Sequence, residues 1–140
     1  MARHVKRLYG IRHGQGWHNL LFHALGPSAY EYRDPALTEK GARQAAAVSP
    51  PRVDLVLVSP LTRALQTAQI MFPRTPQVAL ECLKEYPQHT QLCNRRSDVA
   101  VLRHLFPKVD FGDLRGNQWP EACFSMPKNV HAVHDLVESH

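Results

Sequence analysis

The chain has 140 residues, enough for one domain with a moderate core. Its hydrophobic share of 44% and charged share of 21% are those of a soluble globular protein, and no apolar run is long enough to span a bilayer or to act as a signal-peptide core near Met1. Three cysteines (Cys82, Cys93, Cys123) without a CxxC spacing argue against a disulfide framework or a zinc ribbon, and so for a reducing, cytoplasmic setting. The net charge of +5 suits an anionic partner. Lys and Arg are scattered, however, so small phosphorylated ligands fit better than nucleic acid.

In chain order, Val5–Ile11 is predicted to be a first strand, buried on at least one face despite Lys6 and Arg7. It ends in Arg12-His13-Gly14, and a glycine-rich polar loop leads to a helix-compatible stretch around Leu20–Leu25. Strand, glycine turn and helix present side chains and backbone N–H groups at the carboxyl end of a parallel strand. There Arg12 offers a fixed positive fork for phosphate or carboxylate. His13 sets an imidazole beside it, the pairing expected of a histidine that attacks phosphorus while an arginine neutralises the oxygens. As a triplet alone, it is equally a strand end with a surface arginine.

Gly26–Pro35 has loop composition, with Tyr30 and Tyr32 either packing over a pocket or covering surface. Thr38 is placed to cap a helix that starts with Glu39, runs through Ala42, Ala45, Ala46 and Ala47, and stops at Ser49-Pro50-Pro51. Val53–Val58 is a nearly continuous apolar run, as in a parallel strand covered on both faces. Ser59 is a natural cap and Pro60 a first-turn residue for a helix Leu61–Met71. Arg63 falls in that first turn, where a cation opposes the helix dipole, a misfit of the kind that marks sites. Gln77–Leu80 is a short third strand, Ser97–Leu105 a helix, and Val130–Val137 a last amphipathic stretch. The alternation indicates an α/β fold, a three-layer sandwich with a mainly parallel sheet in which Val5–Ile11 and Val53–Val58 are neighbours.

Two strands thus end in an arginine, and in a parallel sheet both ends face one pocket. Two guanidinium groups can clamp the peripheral oxygens of a phosphoryl group. The segments that carry this arrangement are Arg12-His13-Gly14 with Asn19 six positions after His13, Leu37-Thr38-Glu39-Lys40-Gly41, and Val58 through Ala68. With these the chain resembles the histidine phosphatase superfamily, the phosphoglycerate mutases and their phosphatase relatives. Gly14-Gln15-Gly16-Trp17-His18-Asn19, Glu85-Tyr86-Pro87-Gln88-His89, Cys93-Asn94-Arg95-Arg96 and Phe106 to Phe111 are similar to its eukaryotic phosphoglycerate-mutase-like branch.

The resemblance implies roles. His13 becomes phosphohistidine, Arg12 and Arg63 bind the phosphoryl group, Gly14 and Asn19 line the pocket, and Glu85 protonates the leaving oxygen. Glu31 and Glu81 are the alternatives for the acid, Glu81 belonging more naturally to a strand end. Arg95, Arg96 and Tyr86 either contact the rest of a substrate or lie on the surface. No cofactor or metal is implied; His131 and His134 fit a solvated helix face better than a metal site.

The family pattern also needs a second histidine in an apolar-Ser-His-Gly strand. Ser139-His140 matches it superficially, but the preceding residues have helical spacing and no glycine turn follows. The expectation is a single domain, residues 1–140, truncated before the usual last strand and helix and impaired in turnover. The function expected is a phosphomonoester phosphatase acting on a phosphorylated small molecule, with no nucleic-acid or membrane partner. The alternative is a phosphate-binding or interaction protein that does not turn over; a phosphoglycerate mutase ranks behind both.

Overall fold

The computed structural model describes residues 6–85 and 91–116. Four α-helices are described in it: α1 (Trp17–Leu25), α2 (Glu39–Ala47), α3 (Thr62–Met71) and α4 (Val99–Leu105). Three strands, β1 (Val56–Val58), β2 (Gln77–Ala79) and β3 (Val109–Asp110), form one sheet in the order β1-β2-β3, with both pairings parallel. Parallel neighbours need a crossover, and α3 and α4 lie in the two connections. The fold is α/β with a parallel sheet, as the alternation of elements predicts.

The core gathers where these crossovers meet the sheet. Val58 and Ala79 from the strands, Leu65 and Ala68 from α3, Leu102 from α4, and Phe106, Phe111 and Leu114 after it form one buried cluster. Small residues keep α2 close to the rest: Ala45 is buried, and α2 lies against α3. Among the described residues no helix is long and apolar enough to cross a membrane.

Three expectations need correction. The stretch Val5–Ile11, described from residue 6, is not a strand beside β1. Residues 6–11 form neither helix nor strand, and Leu8 (79% exposed), Tyr9 and Ile11 face outward. Lys6 and Arg7 oppose burial on both faces, the apolar residues do not alternate onto one face, and Gly10 adds no side chain to pack. Next, Val53–Val58 shortens to Val56–Val58. The Val56 amide donates to the Pro76 carbonyl (2.9 Å), but Pro76 has no N–H to extend the ladder upstream.

Finally, Ser59 does not cap α3. Leu61 holds the cap position, and the Asp34 carboxylate reaches the helix from another segment, accepting from the Thr62 amide (2.8 Å) and the Thr62 hydroxyl (2.7 Å). An aspartate at this helix start offsets the misplaced positive charge of Arg63 in the same turn. The stretch Val130–Val137, His131, His134, Ser139, His140 and Tyr86 lie outside the described residues.

Candidate active site

The Gly14-Gln15-Gly16 loop is held by the helices it faces. The Gly14 amide donates to Thr67 Oγ1 (3.2 Å) on α3, and Thr67 donates to the Arg63 carbonyl (2.8 Å). The Gln15 amide donates to Gln44 Oε1 (2.9 Å) on α2, while the Thr38 amide donates to the Gln15 carbonyl (2.9 Å). Thr38 caps α2 as the sequence predicts, its Oγ1 accepting from the Gly41 amide at 3.0 Å. Gly14 and Gly41 are required by close approach. A Cβ on Gly14 would strike the Gly41 carbonyl, and one on Gly41 would strike the Gln15 backbone. The Leu37-Thr38-Glu39-Lys40-Gly41 segment is thus the clamp for the loop that carries His13.

α1 starts at Trp17 with Gly16 as its cap, and Asn19 Oδ1 accepts from the Gly16 amide (2.9 Å). Asn19 therefore fixes the loop as well as lining the cleft. The cleft, about 200 Å³, is walled by Arg12, His13, His18, Asn19, Tyr30, Arg63, Glu85, Gln91, Cys93 and Asn94. All of Arg12, His13, Asn19, Arg63 and Glu85 are brought together; Gly14 lies behind them in the clamped loop.

His13 Nδ1 contacts the Gly14 carbonyl at 2.6 Å. A carbonyl only accepts, so Nδ1 carries the proton and a neutral ring keeps its lone pair on Nε2. Arg63 Nε donates to that nitrogen (3.2 Å). Burial is the main cause that lowers the His13 pKa below 6.5; the Gly14 bond and Glu85 work against it, and Arg63 and Arg12 add to it.

Arg63 is 1% exposed, so its geometry is set by the protein. Its Nη1 donates to the Cys93 carbonyl and its Nη2 to Asn94 Oδ1, both at 2.8 Å. Glu85 Oε2 lies 3.8 Å from Nη2 on a side chain 47% exposed, so it faces both the arginine and solvent. Arg12 is exposed at the same cleft.

The alternative acids fall elsewhere. Glu81 is buried in an ion pair with Arg96, whose Nε meets both its carboxylate oxygens (2.9 and 3.0 Å), and Lys84 Nζ stands 3.6 Å away. Glu31 is exposed and outside the cleft wall. Arg96 is thereby a structural residue and not a substrate contact, and Arg95 is exposed and outside the wall. Of the two tyrosines, Tyr30 lines the cleft and stacks on Phe22 with ring centroids 5.3 Å apart; Tyr32 is exposed.

The sequence pattern alone assigns no role to His18, Gln91, Cys93 or Asn94. For His18 a signal existed: with Gly16 capping, His18 and Asn19 fall together in the first turn of α1, beside the loop. Cys93 and Asn94 act through long-range contacts to Arg63, 30 and 31 positions away, which no local pattern announces. Among the described residues no group of three metal-ligating side chains is assembled.

The model of the histidine phosphatase superfamily (branch 1) matches residues 8–92, more than half of the chain. The chain belongs to the histidine phosphatase superfamily. Among curated proteins it is similar to a 2,3-bisphosphoglycerate-dependent phosphoglycerate mutase of Bartonella henselae (strain ATCC 49882 / DSM 28221 / CCUG 30454 / Houston 1), 29% identical over 133 residues. That match covers 89% of this chain and 60% of the mutase, so the chain spans about three fifths of the length of this relative. The superfamily match includes the His13 loop, the Thr38–Gly41 clamp, Arg63 and Glu85.

Proposed function

We propose that this superfamily member hydrolyses phosphomonoesters through a phosphohistidine on Nε2 of His13. The observation that carries the reading is the His13 ring itself: Nδ1 is committed to the Gly14 carbonyl, which leaves the Nε2 lone pair in the cleft beside Arg63.

In the first step the Nε2 lone pair attacks phosphorus, an N–P bond forms and the ester P–O bond breaks. Glu85, as the acid, gives its proton to the departing oxygen. The Arg63 Nε–H exchanges the His13 lone pair for a phosphoryl oxygen, and Arg12 adds a second cation from the mouth of the cleft. Asn19 and Gly14 hold the loop in place. In the second step the Glu85 carboxylate takes a proton from water, the water oxygen attacks phosphorus, the N–P bond breaks and inorganic phosphate leaves. Positioning and charge neutralisation supply most of the catalysis in such transfers.

The test is hydrolysis of an aryl phosphate by the full chain, with quenching in alkaline denaturant to trap the phosphorylated protein. Turnover with an acid-labile, alkali-stable phosphoryl group that disappears in His13→Ala supports the reading. Phosphate binding without a trapped intermediate overturns it, and leaves a phosphate-binding protein. The likeness to a phosphoglycerate mutase favours a second reading, in which a substrate hydroxyl replaces water in the second step. Adding a phosphoglycerate to the reaction before the quench and following where the phosphoryl group goes separates the two.

A further inference from the structure

His18 is the second residue of α1, one turn from the loop that holds His13. Its ring is 6% exposed and lies in the wall of the same cleft. The His13 and His18 ring centroids are 6.2 Å apart, with the planes inclined by 47°. One oxygen atom between them can contact both rings, since each N···O hydrogen bond spans about 2.7–3.2 Å. The ring is seated by Gly16, where a Cβ would come within 2.8 Å of both Nδ1 and Cε1.

Nδ1 is buried without a hydrogen-bond partner. A polar atom so placed is costly, and an orphaned N–H is rarer in proteins than an unfilled acceptor. The cheaper tautomer therefore leaves a lone pair on Nδ1 and the proton on Nε2. Burial first, then Arg63, His13 and Arg12, lower the His18 pKa to about 4, so the ring is neutral at pH 7. Beside Arg12 and Arg63 a third cation would be repelled, whereas a neutral N–H donor is tolerated.

We propose that His18 contacts the transferred group, its Nε2–H donating to an oxygen of the phosphoryl group that His13 accepts. The inference rests on the phosphate site proposed above. It adds a binding residue from α1, so that donors reach the phosphoryl oxygens from the helix as well as from the arginines. Gly16 is then needed twice, as the cap of α1 and as the seat of the His18 ring.

The experiment titrates the full chain, labelled with 15N at its histidine rings, with inorganic phosphate at pH 7.5. The His18 Nε2 signal should move with the same midpoint as that of His13. His18→Phe, a ring without a donor, should weaken phosphate binding about 10–100-fold, the cost of losing a hydrogen bond to a charged group. It should not lower Tm, because it also removes an unpartnered buried nitrogen. His18→Gln, which restores an N–H donor, should recover part of the affinity.

A His18 signal that stays still while His13 responds overturns the inference, as does His18→Phe with unchanged phosphate affinity. Both readouts are binding, not turnover. Phosphate-linked shifts at both rings without a trapped phosphohistidine would keep this inference and remove the proposed reaction. A phosphohistidine that forms normally in a chain whose His18 ignores phosphate would do the opposite.

Discussion

Arg63 Nε donates to His13 Nε2 at 3.2 Å, so the nitrogen proposed to attack phosphorus is paired with the arginine that would bind the product of the attack. The contact requires an unprotonated Nε2, because two N–H groups cannot share it. His13 protonation therefore breaks it. Since burial and the two arginines lower the His13 pKa, the neutral ring persists below pH 6.5 and is lost only on further acidification. A 15N titration of the histidine rings should place the His13 transition below 6.5. Arg12→Gln, which removes a cation at an exposed position, should move that transition up toward 6.5. A transition at or above 6.5 in the wild-type protein would contradict the arrangement.

A second prediction concerns Asp34. Its carboxylate accepts four hydrogen bonds, from the Thr62 amide and hydroxyl and from the Ser97 amide (2.8 Å) and hydroxyl (2.7 Å). It thereby ties the start of α3, and so Arg63, to the segment that carries Arg96 and α4. Asp34→Ala leaves buried donors unpaired, at about 1–3 kcal/mol for each that finds no water. Because φ at Asp34 is +44°, an alanine there also loses a left-handed position that aspartate tolerates better. Chemical denaturation should show a loss of about 3 kcal/mol or more, and Asp34→Asn, keeping part of the acceptor set, should lose less.

Asp34 also shows where the sequence stopped being legible. The strands at 56–58 and 77–79, the Thr38 cap and the pairing of Arg63 with His13 could be read locally, from apolar runs, capping chemistry and the motifs Arg12-His13-Gly14 and Ser59–Arg63. The carboxylate that caps α3 comes from 28 positions upstream, and the groups that orient Arg63 from 30 and 31 positions downstream. Such partners follow from tertiary contact, not from periodicity. Val5–Ile11 fails for the opposite reason: its local pattern is apolar enough for a strand, but two cations and a glycine leave it without a face to bury. The buried Glu81–Arg96 pair illustrates a third limit, since a charged residue beside a motif reads the same in sequence whether it binds substrate or another side chain.

The clamp between the Gly14–Gly16 loop and α2 predicts a sharp asymmetry among glycines. Gly14→Ala and Gly41→Ala each drive a Cβ into backbone atoms, which cannot move aside as a flexible side chain does. Gly10→Ala meets open space. Thermal unfolding should show Gly10→Ala unchanged within about 0.5 kcal/mol, the range usual for surface substitutions. Gly14→Ala and Gly41→Ala should each lose about 1–3 kcal/mol, the cost typical of overpacking, and should weaken phosphate binding by displacing His13. Equal behaviour of all three would show that the loop and α2 are not in contact.

The last prediction turns His18 into a stability measurement. Its pKa is about 4 in the folded chain and near 6.5 when unfolded. Between those values the unfolded chain binds a proton that the folded chain does not, so stability rises with pH across this window and is level above it. On acidification from pH 7 the wild-type protein should lose stability once below 6.5, with a limiting loss of about 3 kcal/mol from His18 by pH 4, at about 1.4 kcal/mol per pH unit. His13 contributes with the same sign, so the wild-type curve alone does not separate the two rings. His18→Gln removes only the His18 part. Urea unfolding of both proteins from pH 7 to 4.5 should show the wild-type protein losing more stability than the variant as the pH falls, whatever the offset between them at pH 7, because the variant lacks the His18 contribution to the slope. Parallel curves throughout would mean that His18 titrates like an exposed histidine, and that its ring does not sit neutral in the wall of the cleft.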